Sequence, residues 1–130
     1  MDFTKLDVTT AANAGAVMQV THPSTGDDLE GTTITLLGQD SDIYQKEIKK
    51  RAEQSLNGRG GRNKKVDLDD AKLKGAELLA RLTTGWTGIA EGKTDIECSF
   101  ENCVKIYLKY AWLREQVEQF ITDRSHFLKV

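Results

Sequence analysis

The chain has 130 residues, of which 38% are hydrophobic and 29% charged, and its formal net charge is -2. This length suits a single domain that buries a core without disulfides or metals, and every apolar run is far shorter than the ~20 residues of a membrane helix. The slightly acidic balance argues against a dedicated nucleic-acid binder, which normally carries a domain-wide positive excess. We therefore expect one soluble domain spanning residues 1–130.

The N-terminus and the cysteines indicate the compartment. The first five residues, Met1 to Lys5, lack the basic lead and apolar core of a secretory signal, so we expect the protein to stay in the cytoplasm. Cys98 and Cys103 do not have the spacing of a CxxC pair and are expected to be free thiols. The two histidines lie near opposite ends of the chain, so we expect neither a metal site nor a cofactor.

Residues 1–38 form the β-rich part of the predicted fold. Residues 16–21 contain the alternation of a short, half-buried strand, and residues 22–28 have the Pro and Gly chemistry of a turn. Residues 32–38 alternate threonine with aliphatic side chains, which fits a pleated surface. We predict an antiparallel hairpin, with residues 3–8 as a candidate third strand.

Residues 40–130 form the helical part, and its first helix begins at Asp40-Ser41-Asp42. These short acceptors satisfy unpaired backbone N–H groups, and their charge suits the positive end of a helix. Asn57-Gly58 ends the helix by the usual C-cap preference. An apolar residue recurs every fourth position, which predicts one core-facing stripe. The stripe comprises Tyr44, Ile48, Ala52 and Leu56.

Two further helical patterns follow. The acidic residues 67–70 begin the second helix, and Ser99 caps the third, which breaks near Tyr110-Ala111. The core-facing residues of the second helix are Leu68, Ala71, Gly75, Leu78, Leu79 and Leu82. Those of the third are Phe100, Cys103, Val104, Tyr107, Leu108 and, after the break, Leu113, Val117, Phe120 and Ile121. The predicted fold class is α+β: an N-terminal antiparallel hairpin or small sheet, then a three- to four-helix bundle.

Trp86 lies between Gly85 and Gly88, at the end of the second helix. Trp buries a large apolar area and keeps one N–H that needs a partner, so a Trp among glycines is typical of a plug at a helix junction. As a core residue, Trp86 is expected to cost about 3–5 kcal/mol when replaced by alanine. The alternative is a Trp presented to a partner protein, because interfaces favour this residue.

Residues 46–65 carry the strongest local charge, with eight basic residues against two acidic ones. Arg59 and Arg62 lie in the glycine-rich part of this segment, residues 58–65. The plainest interpretation is a solvated loop between helices. Docking on an acidic protein surface is one alternative, and contact with phosphate backbones is another, although residues 58–65 have no aromatic side chain for base stacking.

No catalytic pattern emerges from the sequence. Gly92-Lys93-Thr94 resembles the end of a phosphate-binding loop, but position 87 is threonine instead of the required glycine. The acidic residues at 67–70 are explained as a helix cap, and neither histidine has the sequence partners of a nucleophilic triad. We therefore expect a non-enzymatic protein that binds other proteins.

The second half of the chain also carries a recognisable order of features. Leu79 to Ile89 is a helix end followed by a Trp-x-Gly-like turn, Phe100 to Cys103 is a Phe-x-x-Asn-like helix start, and Tyr107 to Val117 leads into a last helix that closes with Ile121 to Phe127. Gly38 to Ser41, before the first helix, fits the same order. These features resemble the small tail assembly chaperones of long-tailed bacteriophages, over roughly the last half of the chain.

The resemblance implies a non-enzymatic protein in the bacterial host cytoplasm that binds the tape-measure protein, recruits tail-tube subunits and is absent from the finished particle. It also implies a homo-oligomer and, in many such proteins, a longer frameshifted form. The candidate partner-binding residues are Trp86, Arg59, Arg62, Phe127 and Leu128. The alternatives are a structural component of the tail or virion, and a small nucleic-acid-binding protein that acts through residues 46–65.

Overall fold

A computed structural model describes residues 1–57 and 68–128 and shows a mixed α+β chain with small antiparallel sheets. The helices are α1 (Val8–Ala14), α2 (Asp42–Asn57), α3 (Leu68–Leu82), α4 (Phe100–Lys109) and α5 (Ala111–Thr122). The strands are β1 (Ala16–Thr21), β2 (Asp28–Leu36), β3 (Thr83–Thr87), β4 (Ala90–Glu91) and β5 (Thr94–Asp95). Short 3₁₀ helices occur at Phe3–Leu6 and Arg124–His126.

The predicted hairpin is confirmed, because β1 pairs antiparallel with β2 and Met18 lies opposite Ile34. The candidate third strand at residues 3–8 is wrong. Asp2 and Asp7 accept hydrogen bonds from the backbone N–H groups of Thr4 and Thr10, and these caps start a 3₁₀ helix and α1 instead.

The third strand comes from the middle of the chain. The sequence predicts a loop around Trp86, but this segment is β3, which pairs antiparallel with β2 to give the order β1-β2-β3. The sheet is therefore completed by a strand that directly follows α3, and it is not a purely N-terminal unit. The β-branched threonines of residues 83–87 suit this pleated conformation.

One face of the three-stranded sheet contributes to the core. Met18, Val20, Ile34 and Leu36 are buried and belong to the same cluster as the apolar residues of α3, α4 and α5. The opposite face carries Val17, which is 62% exposed, and partly exposed threonines of β2. This alternation is what the period-2 geometry of strands requires when only one face is covered.

The core-facing stripe of α3 is confirmed only in its second half. Leu78, Leu79 and Leu82 are buried, whereas Leu68 and Ala71 are exposed. All buried residues of α3 lie from Ala76 onward. The first turns of this helix therefore lie outside the core.

The predicted stripe of α2 is wrong in its later part. Tyr44 packs against the core, but Ile48, Ala52 and Leu56 are exposed. The helix lies against a polar flank of α3, where Glu47 and the Arg51 guanidinium make its contacts, and this leaves the apolar stripe in solvent.

Helix α4 begins at the predicted cap, since the Ser99 hydroxyl accepts a hydrogen bond from the Asn102 N–H at 3.2 Å. Its buried residues include Cys103 and Tyr107, as expected, together with Ile106. Phe100 and Leu108, which the sequence placed on the core face, are exposed. The buried face is therefore rotated toward Ile106 relative to the predicted one.

The predicted break is confirmed at Tyr110, which separates α4 from α5. Within α5 the residues Leu113, Val117 and Ile121 are buried, and Phe120 is partly buried. No described helix, in residues 1–57 or 68–128, is both long and apolar enough to span a bilayer.

Candidate protein-binding surface

The clearest candidate surface is the solvated end of the α2–α3 pair, here called the arm and defined as residues 48–56 and 68–74. Of the arm residues whose exposure is described, Arg51 is half-buried and the rest are exposed. The arm thus lies outside the core that α3, α4, α5 and the sheet form together.

Four large apolar side chains are exposed on this arm. Ile48 and Leu56 on α2 are 39% and 62% exposed, and Leu68 and Leu73 on α3 are 70% and 40% exposed. Single exposed apolar residues are normal on any protein, but several on adjacent helices outside the core are typical of surfaces that other proteins cover. The arm therefore offers apolar contacts to a partner.

A charged groove follows α2 and α3 and includes several charged residues of the arm. It consists of two adjoining depressions of about 590 and 170 Å³ that share Glu47, Lys50 and Arg81. Its basic residues are Lys46, Lys49, Lys50, Arg51, Lys74 and Arg81. Three acidic residues, Glu47, Glu53 and Glu77, line it as well. We call this depression the α2–α3 groove, and its net charge is positive.

Two contacts fix the walls of the α2–α3 groove. The Arg51 guanidinium donates to the backbone carbonyl of Lys74, and the Arg81 Nε lies 3.8 Å from the Glu47 Oε1. The Arg81 guanidinium also lies over the exposed Phe100 ring, 5.2 Å from its centroid, a favourable cation–π arrangement. The first two contacts join α2 to α3 through polar groups, and the third joins α3 to α4.

Trp86 is half-buried in β3, opposite Ile34, and packs against the core cluster. Its indole N–H donates to the backbone carbonyl of Ile96 at 2.9 Å. This bond ties β3 to the segment that follows β5 and supplies the partner that a buried indole requires. The side chain therefore has a structural role in the described fold.

Phe127 and Leu128 are half-buried at the end of the described chain. The Phe127 ring lies edge-to-face with Phe120, with centroids 5.5 Å apart, and its ring atoms come close to the backbone of Gly38. Arg124 holds the segment through two hydrogen bonds to the Asp40 carboxylate, of 2.7 and 3.0 Å. Phe127 thus contacts its own chain.

Among the five candidate residues from the sequence, those that the structure describes belong to separate elements. Trp86 lies in β3 and Phe127 packs beside Gly38, while Arg59 and Arg62 lie outside the described residues. Sequence reasoning missed the exposed apolar residues of the arm because the same periodicity predicts a core-facing stripe. The many charged residues that surround the stripe on α2 could have indicated that this helix is largely exposed.

An apolar depression of about 230 Å³ lies where the sheet meets the α4–α5 junction. Leu29, Ile89 and Trp112 contribute to its lining, and the hydroxyl of Tyr110 donates to the Glu91 carboxylate at 2.8 Å. Hydrogen bonds from Lys109 and Tyr110 hold the pKa of Glu91 below its ordinary value. The volume is small compared with ordinary ligand sites.

The two cysteines are free, and their sulfur atoms lie 3.8 Å apart. Burial, reinforced by the neighbouring Cys98, raises the pKa of the Cys103 thiol to about 12. Because only the thiolate is an effective nucleophile or metal ligand, burial and the raised pKa make Cys103 a poor candidate for either role at neutral pH. The pair belongs to the core rather than to a reactive site.

Within residues 1–57 and 68–128, no three His, Cys, Asp or Glu side chains gather closely enough to hold a metal ion. Comparisons of the chain with protein-family models, with curated proteins and with solved structures found no match.

Proposed function

We propose that this protein is a tail assembly chaperone of a long-tailed bacteriophage, which binds the tape-measure protein in the host cytoplasm and recruits tail-tube subunits to it without enzymatic activity. The sequence resemblance over roughly the last half of the chain motivates the family. The structural observation that carries the proposal is the arm, on which the apolar residues Ile48, Leu56, Leu68 and Leu73 are exposed outside the core.

The chemistry of this arm suits a client that is a long amphipathic helix. Such a helix exposes an apolar stripe that associates with other copies before assembly, and a helical partner can cover the stripe. Leu56 and Leu73, on two helices of the same arm, supply apolar area for this contact. A reversible interaction is expected, because only part of the arm is apolar and its charged residues remain hydrated.

The proposal includes self-association, which lets several copies coat an elongated client. The three-stranded sheet ends in two edge strands, β1 and β3, and sheet edges are surfaces that proteins cover or use. Gln116 already satisfies the backbone N–H and C=O of Thr21 at one end of β1. The rest of the β1 edge, in the strand that carries the exposed Val17, and the edge of β3 are our candidate contacts between copies.

Co-expression with the tape-measure protein of the same phage tests the function. We expect the client to be soluble and to co-purify with the wild-type chain, and to aggregate when it is expressed alone. The double variant Leu56→Ser/Leu73→Ser should lose the client because it removes apolar area from the arm. Leu108→Ser is the matched control, since Leu108 on α4 is as exposed as Leu73.

Three results would contradict the proposal. Mass spectrometry that finds the chain at stoichiometric abundance in purified virions would favour a structural component of the tail. Client binding that survives Leu56→Ser/Leu73→Ser would remove the arm from the interface. A sub-micromolar complex with DNA or RNA at physiological salt, lost in Arg59→Ala/Arg62→Ala, would favour the nucleic-acid-binding alternative.

A further inference from the structure

The α2–α3 groove contains lysines whose charges the described fold does not use. Lys74 pairs with Asp70 at 3.2 Å and Arg81 lies 3.8 Å from Glu47. Lys46, Lys49 and Lys50 make no ion pair with any carboxylate in the described part of the chain. Their spacing places the three ammonium groups on adjacent positions of one helix surface, within about one turn.

Three lysines this close repel one another, and Glu47 and Glu53, which line the same groove, form no ion pair with them within the described residues. An exposed ion pair contributes only about 0–1 kcal/mol, so the repulsion is tolerated in the isolated protein. A ligand that brings several carboxylates to this surface would gain from all three charges at once. The groove is therefore prepared for a negatively charged partner.

We propose that the α2–α3 groove binds an acidic amphipathic helix of a partner protein, with Asp or Glu side chains at three- and four-residue spacing opposite Lys46, Lys49 and Lys50. An amphipathic helix is one of the recurring ligands of grooves on protein surfaces. The exposed Ile43 in the groove and the exposed Phe100 beside Arg81 supply apolar contacts for the non-acidic face of that helix.

Charge pattern favours a protein over a nucleic acid as the occupant. Glu47, Glu53 and Glu77 line the same groove and would repel a continuous row of phosphates. A peptide avoids this repulsion because it can place acidic side chains opposite the lysines and neutral or basic ones opposite the glutamates. Phosphate backbones have no such choice, since every nucleotide carries a negative charge.

Binding to two synthetic helices tests the groove directly. Both are alanine-based peptides of about 20 residues with leucines at identical positions; one carries glutamates and the other lysines on the remaining face. In amide NMR spectra of the full chain, the glutamate peptide should shift resonances of α2 and the second half of α3. We expect micromolar affinity that weakens at least about tenfold between ~50 and ~300 mM salt, as screening requires.

Charge reversal tests whether the groove lysines bind the glutamate peptide. Lys46→Glu/Lys50→Glu should weaken binding of the glutamate peptide at least about tenfold and create binding of the lysine peptide, which also shows that the variant is folded. The matched control is Lys93→Glu/Lys105→Glu, which changes the net charge equally at exposed positions outside the groove and should bind like the wild type.

Three results would overturn the inference: no shift of α2 resonances at millimolar glutamate peptide, binding that survives Lys46→Glu/Lys50→Glu, or tighter binding of duplex DNA than of the glutamate peptide at equal salt. The inference depends on the proposed function only in taking the natural occupant to be a protein client. If the glutamate peptide binds while the tape-measure protein does not, the groove chemistry stands and the proposed client is wrong.

Discussion

The hydroxyl oxygen of Thr83 lies 2.7 Å from the hydroxyl oxygen of Tyr107, at the point where α3 passes into β3. Thr83 donates its own proton to the backbone carbonyl of Leu79 at 2.8 Å, so Tyr107 is the donor between the two hydroxyls. Tyr107 is fully buried, and burial raises the pKa of its hydroxyl above the ordinary value. Thr83 thus satisfies the one polar group of this large core residue.

A double-mutant cycle measures this relationship. Thr83→Val keeps the side-chain shape but leaves the buried Tyr107 hydroxyl without its acceptor, so we expect a loss of about 1–3 kcal/mol in the free energy of unfolding. Tyr107→Phe removes the hydroxyl itself and should cost about 1 kcal/mol. The double variant should lose less than the sum of the two, by at least about 0.5 kcal/mol. Strict additivity in urea unfolding would show that the hydroxyls are not coupled.

Gly88 allows β3 to approach the hairpin closely. Its φ is +71°, and a Cβ at this position would lie 2.4 Å from the backbone carbonyl oxygen of Gly31. We expect Gly88→Ala to lower the free energy of unfolding by more than about 2 kcal/mol, because backbone strain adds to a clash that no side chain can relieve.

Two matched glycines separate the causes of the Gly88 effect. Gly26 has a φ of +77° but no atom within 4 Å of an added Cβ, so Gly26→Ala should cost only the strain of about 1–2 kcal/mol. Gly85 has neither feature and should tolerate alanine with little change. Equal losses at Gly88 and Gly26 in chemical denaturation would eliminate the close approach to Gly31 as a cause.

Trp86 contributes apolar area and one hydrogen bond, and two substitutions separate them. Because the side chain is half-buried, Trp86→Ala should cost about 3 kcal/mol, the low end for a large truncation. Trp86→Phe keeps most of the apolar contact but loses the bond to the Ile96 carbonyl, which should cost about 1 kcal/mol. A loss below about 1 kcal/mol for Trp86→Ala in equilibrium unfolding would mean that Trp86 contributes little to the core.

Local rules predicted the elements whose cause lies within a few residues. Ser99 caps α4 and the alternation around Met18 gives β1, because a side-chain acceptor before a helix and a period of two are visible in the sequence. The same rules applied to residues 3–8 favoured a strand, but the Asp2 and Asp7 caps outweighed it. Capping contributes a definite hydrogen bond, whereas an apolar alternation this short carries little information.

The sequence did not indicate how elements far apart in the chain pack against one another. The pairing of β3 with β2 joins residues about fifty positions apart, and nothing local to Trp86 indicates it. The stripe of Ile48 and Leu56 has the period of a core-facing helix, yet periodicity shows only that residues share a face and not what covers that face. The candidate binding surface therefore emerged only when the structure showed that face to be exposed.

The contacts of Phe127 predict a role in stability. Phe127→Ala should lower the free energy of unfolding by about 2 kcal/mol, because the ring loses its edge-to-face contact with Phe120 and its packing on Gly38. Phe3→Ala is the control, since that ring is largely exposed and should change little. If Phe127 instead joins two copies, the variant would lower the sedimentation coefficient at high concentration and leave unfolding of the monomer unchanged.

Cys103 and Tyr107 predict a loss of stability at alkaline pH. The pKa of a Cys103 thiol is about 9 when hydrated and about 12 in the folded protein. Between these values the unfolded chain releases a proton that the folded chain retains, so the free energy of unfolding falls as pH rises, by at most about 1.4 kcal/mol per pH unit for one group. Tyr107, whose pKa is also raised from an ordinary value of 10.0, adds to the slope above that pH.

Variants at the two cysteines show how much of the fall in unfolding free energy at alkaline pH comes from the Cys103 thiol. Cys103→Ala should be less stable at neutral pH because it leaves a cavity, but its free energy of unfolding should fall less steeply between pH 9 and pH 10, where the thiol contributes more than Tyr107 does. Cys98→Ala, which changes the half-buried neighbour, should retain most of the wild-type slope. Urea unfolding under reducing conditions across this range measures both. Identical slopes for the wild type and Cys103→Ala would mean that the buried thiol releases its proton as readily in the folded protein as in the unfolded chain.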